Sequence, residues 1–283
     1  MKRTEKLIDI ISYIILTAVL LLTLLPIVYT IASAFKTNSE ILVAPERLFP
    51  KEPTLDNFVT IWTSDTMHIG RMLFNSIYYT LISVGITLVT SSLTAYVFSR
   101  HNFPGKKLLF AVFSSLMFIS LGSITIYPQF EILGKIGLST SLNGLLVMKL
   151  FGCGIVNIYL VRGYINTIPK TLDEAAFIDG CGFMGIFFKI ILPLLKPILA
   201  TVALLSFNAS WNDYLMPTLF TMSRPEQQTL IVGLTALKSS GEAASSWNLM
   251  MAGVTITFIP ILIAYAVFNQ YFITGITAGA VKG

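Results

Sequence analysis

Few side chains in this 283-residue chain belong to the types that catalyse reactions or bind metals. The two histidines, His68 and His101, are far apart and have no neighbour at a ligand spacing, so both are expected to be solvated. Of the two cysteines, Cys153 falls in an apolar run and Cys181 in a loop predicted to be cytoplasmic, where thiols stay reduced. We therefore expect no catalytic residue, no metal site and no cofactor bound by this chain.

Polar residues within or at the ends of long apolar runs form a second group that could do chemistry. They are Lys149, Asn157, Asn208, Trp211, Asn212 and Asp213. Polar groups are costly in lipid and tend to face a cavity or another helix, so these residues are candidates for a solute path. Each also has an ordinary role: Lys149 can snorkel or pair, the asparagines can bridge helices, and Trp211 can anchor at the interface.

The most specific spacing occurs between residues 166 and 192, which we call the EAA loop. Its marked positions are Glu174, Ala175, Ala176, Gly180, Ile190, Leu192 and Pro193, the last just beyond the loop. Pro169 discourages continuation of the preceding helix, and Thr171 with Glu174 forms a capping-box pattern that predicts a helix over 172–179. Gly180 predicts a left-handed turn, followed by a second helix over 183–191 that Pro193 bounds.

The side chains of the EAA loop suit docking into another protein. Ala175 and Ala176 permit close backbone approach. Apolar anchors are offered by Phe177, Ile178, Phe183 and Phe187. The alternative is an amphipathic hairpin that lies on the bilayer face.

The composition shows which elements must position these residues. With 54% apolar residues, 12% charged residues and a mean hydropathy of +0.77, the chain is predicted to be an all-α, polytopic membrane protein and a single domain over 1–283. Six runs are long enough to cross the bilayer as helices: 8–35, 74–98, 108–130, 142–164, 194–215 and 247–274. The proline residues Pro26, Pro128 and Pro260 lie in or near spans, where they can kink helices.

Basic residues predict the orientation, because Lys and Arg are enriched in cytoplasmic segments. Lys2, Arg3 and Lys6 precede the first span, and Lys106 and Lys107 follow the second. Both termini and the EAA loop are therefore predicted to be cytoplasmic. This bias also accounts for the net charge of +5, so nucleic-acid binding is not expected. The first run, although it ends in a cleavage-like Ala32-Ser33-Ala34, is too long for a signal peptide and predicts an uncleaved anchor.

In the EAA loop the chain resembles the permease subunits of bacterial ABC importers. The loop of those subunits carries the residues EAA, three further residues, G, nine further residues and I-x-L-P. Asp179 and Pro197 extend the likeness. Further similarity covers nearly the whole chain and points to the carbohydrate-importer branch, in particular the second membrane subunit of the maltose transporter. It is carried by Asn75-Ser76, Tyr96, Arg100, Phe103, Gly105, Lys106, Trp211-Asn212-Asp213 and the terminal stretch 275–283.

The resemblance implies a subunit of a sugar importer in the inner membrane of a bacterium. Its partners would be a second permease, two cytoplasmic ATPase subunits that bind ATP and Mg²⁺, and an extracytoplasmic sugar-binding protein. The coupling residues would be Glu174, Ala175, Ala176, Phe177, Asp179, Gly180, Ile190, Leu192 and Pro193. Lys282 and Gly283, in the cytoplasmic tail 275–283, would make a second contact with the ATPase.

Other segments and other functions follow from the residues alone. The outer segments 36–72 and 216–246 are expected to contact a partner, because loops of this length without a role are uncommon. An ABC permease for another solute, such as a polyamine or a phosphonate, is also compatible with the EAA loop, although the terminal residues 279–283 favour a sugar. An ion-driven secondary transporter is disfavoured, because no carboxylate lies deep in a span and no pair of broken helices is evident.

Overall fold

The computed structural model describes residues 2–64, 68–118, 122–152, 154–239 and 246–280. Within these ranges the chain forms helices and turns and contains no β-strand. The predicted all-α fold of a polytopic membrane protein is confirmed.

The helices follow one another along the chain with short connections. The first eight are α1 (Lys2–Ser33), α2 (Asn38–Val43), α3 (Asp56–Thr63), α4 (Ile69–Arg100), α5 (Lys106–Ser115), α6 (Ile126–Lys135), α7 (Leu142–Phe151) and α8 (Ile155–Ile165). The others are α9 (Thr171–Ile178), α10 (Phe183–Ile186), α11 (Leu192–Leu194), α12 (Lys196–Trp211), α13 (Leu215–Thr221), α14 (Leu230–Ser239) and α15 (Trp247–Ala280).

Three helices are long and apolar enough to cross a membrane alone: Ile8–Ser33 within α1, Ile69–Arg100, and Trp247–Phe268 within α15. Two bent helix pairs also pass the test of length and apolar composition when each pair is taken as one span. One joins α7 to α8 with a bend of 44°, and the other joins Phe183–Leu194 to α12 with a bend of 77°. These five agree with five of the six predicted spans.

The remaining predicted span, 108–130, is not one continuous helix in the described residues. Helix α5 ends at Ser115, and a 3₁₀ turn at Gly122–Thr125 leads into α6. The hydroxyls of Ser114 and Ser115 donate to the carbonyls of Phe110 and Val112, a local bonding pattern that weakens and bends helices. Pro128 lies in the first turn of α6, where proline is tolerated, so it begins a helix and does not kink one.

The contacts between Cα atoms divide the chain into two compact units. The first comprises 1–70 and 233–259, and the second comprises 71–232 and 260–283. In the first unit α1 exposes its apolar side chains from Ile8 to Val28, and none of its most apolar window is buried. A helix of this kind requires lipid or another subunit around it.

The segment 36–64 of the first unit is an ordered structure built around Asn57. Its amide nitrogen donates to the carbonyls of Ala34 (2.7 Å) and Lys36 (2.8 Å), and its carbonyl accepts from the amide of Asn248 (2.6 Å). Lys36 is fully buried, and its ammonium donates to the carbonyl of Arg47. The sequence predicted a segment that contacts a partner here, and the structure shows that it contains helices α2 and α3.

The second unit has its largest apolar core where α4, α8 and the EAA loop meet. Tyr96, Val161, Ile165, Phe187 and Ile191 are fully buried in this cluster. A second cluster joins α4 to α6, α7 and α13, and a third joins α4 to α12 and α15. Helix α4 therefore contributes to every apolar cluster of this unit that the described residues form.

Candidate functional site

The first helix of the EAA loop is α9, which agrees with the predicted 172–179 to within one residue at each end. The predicted capping box is wrong. Lys170 holds the N-cap position, and no side chain caps the helix. Thr171 is already the first helical residue, so its backbone lacks the extended conformation in which a capping hydroxyl reaches the next turn.

Gly180 ends α9 in the left-handed conformation, as predicted, with φ = +82°. The N–H of Cys181 donates to the carbonyl of Ala176 (2.9 Å), and the N–H of Gly180 donates to that of Phe177 (3.0 Å). These two bonds form a Schellman motif. Glycine at this position avoids the steric cost that a Cβ atom meets in this region of conformation.

The second helix of the EAA loop begins at Phe183, as predicted, but does not end at Pro193. Helix α10 passes into a π-helical segment at Phe187–Ile191 and then into α11, which contains Pro193. Proline is tolerated there because it lies in the first turn of α11. The direction of the chain changes at Leu195, before α12 begins.

Tyr96 near the end of α4 holds the second half of the EAA loop. Its ring lies 4.5 Å from the ring of Phe183 and 5.0 Å from that of Phe187, measured between centroids. Its hydroxyl donates to the carbonyl of Phe183 at 3.2 Å. Aromatic contacts and a hydrogen bond at one buried residue fix α10 against a membrane span.

Arg100, the last residue of α4, holds the first half of the EAA loop. Its guanidinium donates from Nη2 to the carbonyl of Ile168 (2.7 Å), and its Nε lies 2.6 Å from Oδ2 of Asp173. Burial raises the pKa of the Asp173 carboxyl above its ordinary value of 3.8, and the nearby Arg100 opposes that rise. Burial has the larger effect of the two.

The positions of the EAA motif divide between the core and the surface. Glu174, Ala175, Asp179 and Gly180 are exposed. Phe177 and Ile178 have exposed fractions of 73% and 84%, and they lie outside the predicted spans, where lipid would not cover them. Ala176 instead packs into the core below α9, as do Ile190 and Leu192 of the second helix.

Phe187 corrects one expectation. It was predicted to anchor a partner, but its side chain is only 1% exposed and belongs to the core. Phe183 is exposed at its edge while stacking on Tyr96. We define the docking face as the exposed residues of α9 and its cap: Glu174, Ala175, Phe177, Ile178 and Asp179. The expected second contact at Lys282 and Gly283 lies outside the described residues.

Lys149 points inward to a polar partner and does not snorkel. Its ammonium donates to the hydroxyl of Ser210 on α12 (2.8 Å) and lies 4.6 Å from the centre of the Tyr79 ring on α4. The hydroxyl of Tyr79 in turn donates to Oδ2 of Asp213 at 2.8 Å. These contacts connect α4, α7 and the end of α12 through polar side chains.

Trp211, Asn208 and Asn212, three other candidates for the solute path, do not take part in these polar contacts between helices. Trp211 is buried and stacks on Phe207 with an interplanar angle of 7°, so its ring is not open to a solute in this structure. Asn208 is exposed and accepts from the amide of Asn212 one turn later, within α12. Neither asparagine bridges two helices through these bonds.

A cavity of about 490 Å³ lies beside the break between α7 and α8, and we call it the polar cavity. Lys149 and Asn157, two of the candidates for a solute path, line it. Its hydroxyl-bearing lining residues, which the sequence did not single out, are Thr87, Thr90, Ser91, Ser206 and Ser210. A second cavity of about 300 Å³ shares Lys149 and is also lined by Tyr79 and Asp213.

The opposite end of α4 is also tied by hydrogen bonds. The amide of Asn75 donates to the carbonyls of Glu226 (3.0 Å) and Gln228 (2.9 Å). The hydroxyl of Ser76 accepts from the N–H of Leu230 (2.8 Å). Residues 226–230 are therefore attached to α4, and segment 216–246 contains helix α14 and most of α13.

Residues 91–277 match the model of the family described as the binding-protein-dependent transport system inner membrane component. This match covers the end of α4, the EAA loop and the solute-path candidates of α7, α8 and α12. The chain belongs to this family. It is thus a transport component and not an enzyme, as the sequence predicted.

Curated relatives match nearly the whole chain of this family member. The probable starch degradation products permease of Thermoanaerobacterium thermosulfurigenes is 34% identical over 93% of each chain. The sulfoquinovosyl glycerol permease of Agrobacterium fabrum is 30% identical over 92% of this chain and 89% of its own. A crystal structure of a bacterial ABC transporter that imports the acidic polysaccharide alginate matches with a TM-score of 0.83, at 24% identity, over 95% and 98% of the chains.

Sequence reasoning missed the residues that attach the docking face to the membrane spans. Arg100 and Asp173 are 73 positions apart, and no local pattern joins them. A signal did exist, because Tyr96 and Arg100 were among the residues that carried the resemblance. In the structure those residues are the ones that hold the EAA loop.

Proposed function

We propose that this permease is one membrane subunit of an ATP-driven importer, and that its docking face inserts into a partner ATPase. The observation that carries this proposal is the combination of an exposed apolar helix with a rigid attachment. Phe177 and Ile178 project from α9, while Ala176, Arg100 and Tyr96 fix the EAA loop to α4. A helix held in this way moves as a rigid body and transmits displacement to the spans.

The family description supports the remaining partners. A binding-protein-dependent system includes a protein that delivers the solute, and the exposed face of α1 is suited to a second permease or to lipid. ATP and Mg²⁺ are held by the ATPase pair and not by this chain. The protein lies in the inner membrane, with its termini and EAA loop in the cytoplasm.

We infer that the transported solute is a saccharide. The relatives named above carry starch degradation products and sulfoquinovosyl glycerol, as their names state. The polar cavity supports this solute class, because hydroxyl and amide side chains are partners for sugar hydroxyls. Transport proceeds by alternating access, with ATP binding and hydrolysis moving the docking face.

The test is co-purification of the intact complex through a tag on this chain, with identification of the subunits and measurement of ATPase activity. We expect an ATPase and a second permease to be recovered. In Phe177→Ser and Ile178→Ser the ATPase is expected to dissociate, because these side chains lose the apolar area that they bury in the partner.

Ile136→Ser is the matched control, because Ile136 is also exposed but follows α6, outside the EAA loop. It is expected to retain the ATPase fully. Recovery of this chain alone, with uptake driven by an ion gradient, would contradict the proposal. Retention of the ATPase in both docking-face variants would show that α9 is not the coupling element.

A further inference from the structure

The described lining of the polar cavity carries a positive charge. Lys149 is the one charged residue among the described residues that line it. Asp213 interacts electrostatically with Lys149, but it accepts from Tyr79 and lines the smaller cavity, not the polar cavity. An acidic side chain facing the polar cavity, which would neutralise Lys149 there, is absent from its described lining.

The break between α7 and α8 adds a second positive feature to the same cavity. Helix α8 begins at Ile155, its N-cap is Gly154, and no side chain caps it. The first bond back to the cap is from the N–H of Ile158 to Gly154, which leaves earlier N–H groups without an intrahelical partner. Gly154, Val156 and Asn157 line the cavity, so this helix end lies at its wall. Helix amino termini favour anions.

The hydroxyl groups in the cavity wall divide into acceptors and a free donor. Thr87 and Thr90 donate to carbonyls of their own helix at 2.9 Å and 2.8 Å, which leaves their oxygen lone pairs as acceptors. Ser206 is only 7% exposed, and its hydroxyl has no partner in the described structure. A buried hydroxyl without a partner indicates a ligand group that completes it.

We propose that the polar cavity binds a saccharide that carries a carboxylate. The Lys149 ammonium and the amino-terminal end of α8 contact the carboxylate, Ser206 donates to the sugar, and the threonine oxygens accept from sugar hydroxyls. The cavity volume of about 490 Å³ lies within the range of about 300–1,000 Å³ that ligand pockets span. The inference rests on the proposed importer function and specifies its substrate class.

The test uses the full complex, with its binding protein, reconstituted in liposomes. The probes are oligosaccharide pairs of equal length that differ only at C6: galacturonate and mannuronate oligomers against galactose and mannose oligomers. We expect one acidic oligomer to be taken up about tenfold faster than its neutral counterpart, since hydrogen bonds to charged groups are the stronger ones. Lys149→Gln should lower acidic uptake by about tenfold, and Lys149→Arg should retain most of it.

Controls separate this proposal from loss of structure. Lys135→Gln removes an exposed lysine of the same unit and should leave uptake unchanged. Basal ATPase activity and thermal stability of the Lys149 variants report whether the complex still folds. Uptake of a neutral oligomer only, or equal loss in Lys149→Gln and Lys149→Arg, would overturn the acidic class. Uptake of no saccharide by an intact, ATP-hydrolysing complex would instead refute the proposed function.

Discussion

Arg100 at the end of α4 and Asp173 in the first turn of α9 meet at 2.6 Å between Nε and Oδ2. The pair is mostly buried and lies beside the carbonyl of Ile168, which Arg100 also binds. One side chain therefore fixes both the start of α9 and the connection that precedes it. The docking face depends on this contact for its position relative to the span.

The two partners should respond differently to neutralisation. Arg100→Leu leaves the Asp173 carboxylate buried without a cation, so we expect a loss of about 1–3 kcal/mol in the unfolding free energy. Asp173→Asn should cost less, because the Arg100 guanidinium keeps the carbonyl of Ile168 as a partner. Thermal unfolding of the purified complex measures both. Lys189→Gln, an exposed change in the second helix of the EAA loop, is the control and should have no effect.

The raised pKa of Asp173 also predicts a pH dependence. A carboxyl whose pKa is higher in the folded state binds its proton more tightly there, so it stabilises the fold below its unfolded pKa. This contribution should be lost as pH rises from about 3.8 through the raised value. The free energy of unfolding, measured at several pH values across that window, should decrease in this way in the unchanged protein and not in Asp173→Asn. An equal slope in both would exclude Asp173 as its source.

Gly180→Ala should destabilise the EAA loop. An added Cβ would meet no atom within 4 Å, so there is space for the side chain. The backbone φ of +82°, however, costs alanine about 1–2 kcal/mol of conformational energy. Gly182 is the matched control, because it also has open space and its φ is −72°. Thermal stability should fall in Gly180→Ala and stay unchanged in Gly182→Ala. Equal effects would mean that the Schellman turn does not limit stability.

Asn57→Asp should disrupt the first unit. The substitution keeps the size of the side chain but replaces its donor with a carboxylate oxygen that faces the carbonyls of Ala34 and Lys36. We expect a loss of about 2 kcal/mol or more, measured by thermal unfolding. Asn102→Asp is an exposed control that keeps an acceptor for Lys106, so its stability should not fall. Equal losses would contradict the central role of Asn57.

The orientation of the chain is open to direct measurement. A reporter fused after Gly283 should be cytoplasmic, because Lys and Arg concentrate near the predicted cytoplasmic ends of the spans. A cysteine at the exposed position 135, introduced as Lys135→Cys, should react with an impermeant reagent from outside. A reporter outside the cell, or labelling of position 135 only after lysis, would contradict the predicted topology and place the EAA loop outside the cytoplasm.

Local sequence signals predicted the EAA loop well, and its attachment poorly. Pro169 and Gly180 restrict the backbone wherever they occur, so the bounds of α9 followed from them. The capping box failed because Thr171 entered the helix itself. Asp173, which the sequence did not single out, is held by Arg100. Tertiary contacts of this kind have no periodic signature.

The solute-path residues show the same limit. Lys149 and Asn157 could be identified because polar groups in apolar runs are rare. The partner of Lys149 could not be identified, since Ser210 is 61 residues away in the sequence. The contact between Asp213 and Tyr79 could not be identified either, since these residues are 134 positions apart. Serine and threonine side chains in spans are common and usually satisfy their own helix, so the lining of the polar cavity carried no distinctive pattern.

Helix α4 has a mechanical consequence for transport. Its 32 residues extend for about 48 Å, and its anchoring residues Ser76 and Arg100 are about 36 Å apart along the axis. Ser76 accepts from the N–H of Leu230, the first residue of α14, and Arg100 donates to the carbonyl of Ile168 in the EAA loop. A displacement of α9 would therefore reach the Ser76 end through one continuous helix, and the bending stiffness of α4, not a relay of side chains, would set how much of that displacement is transmitted.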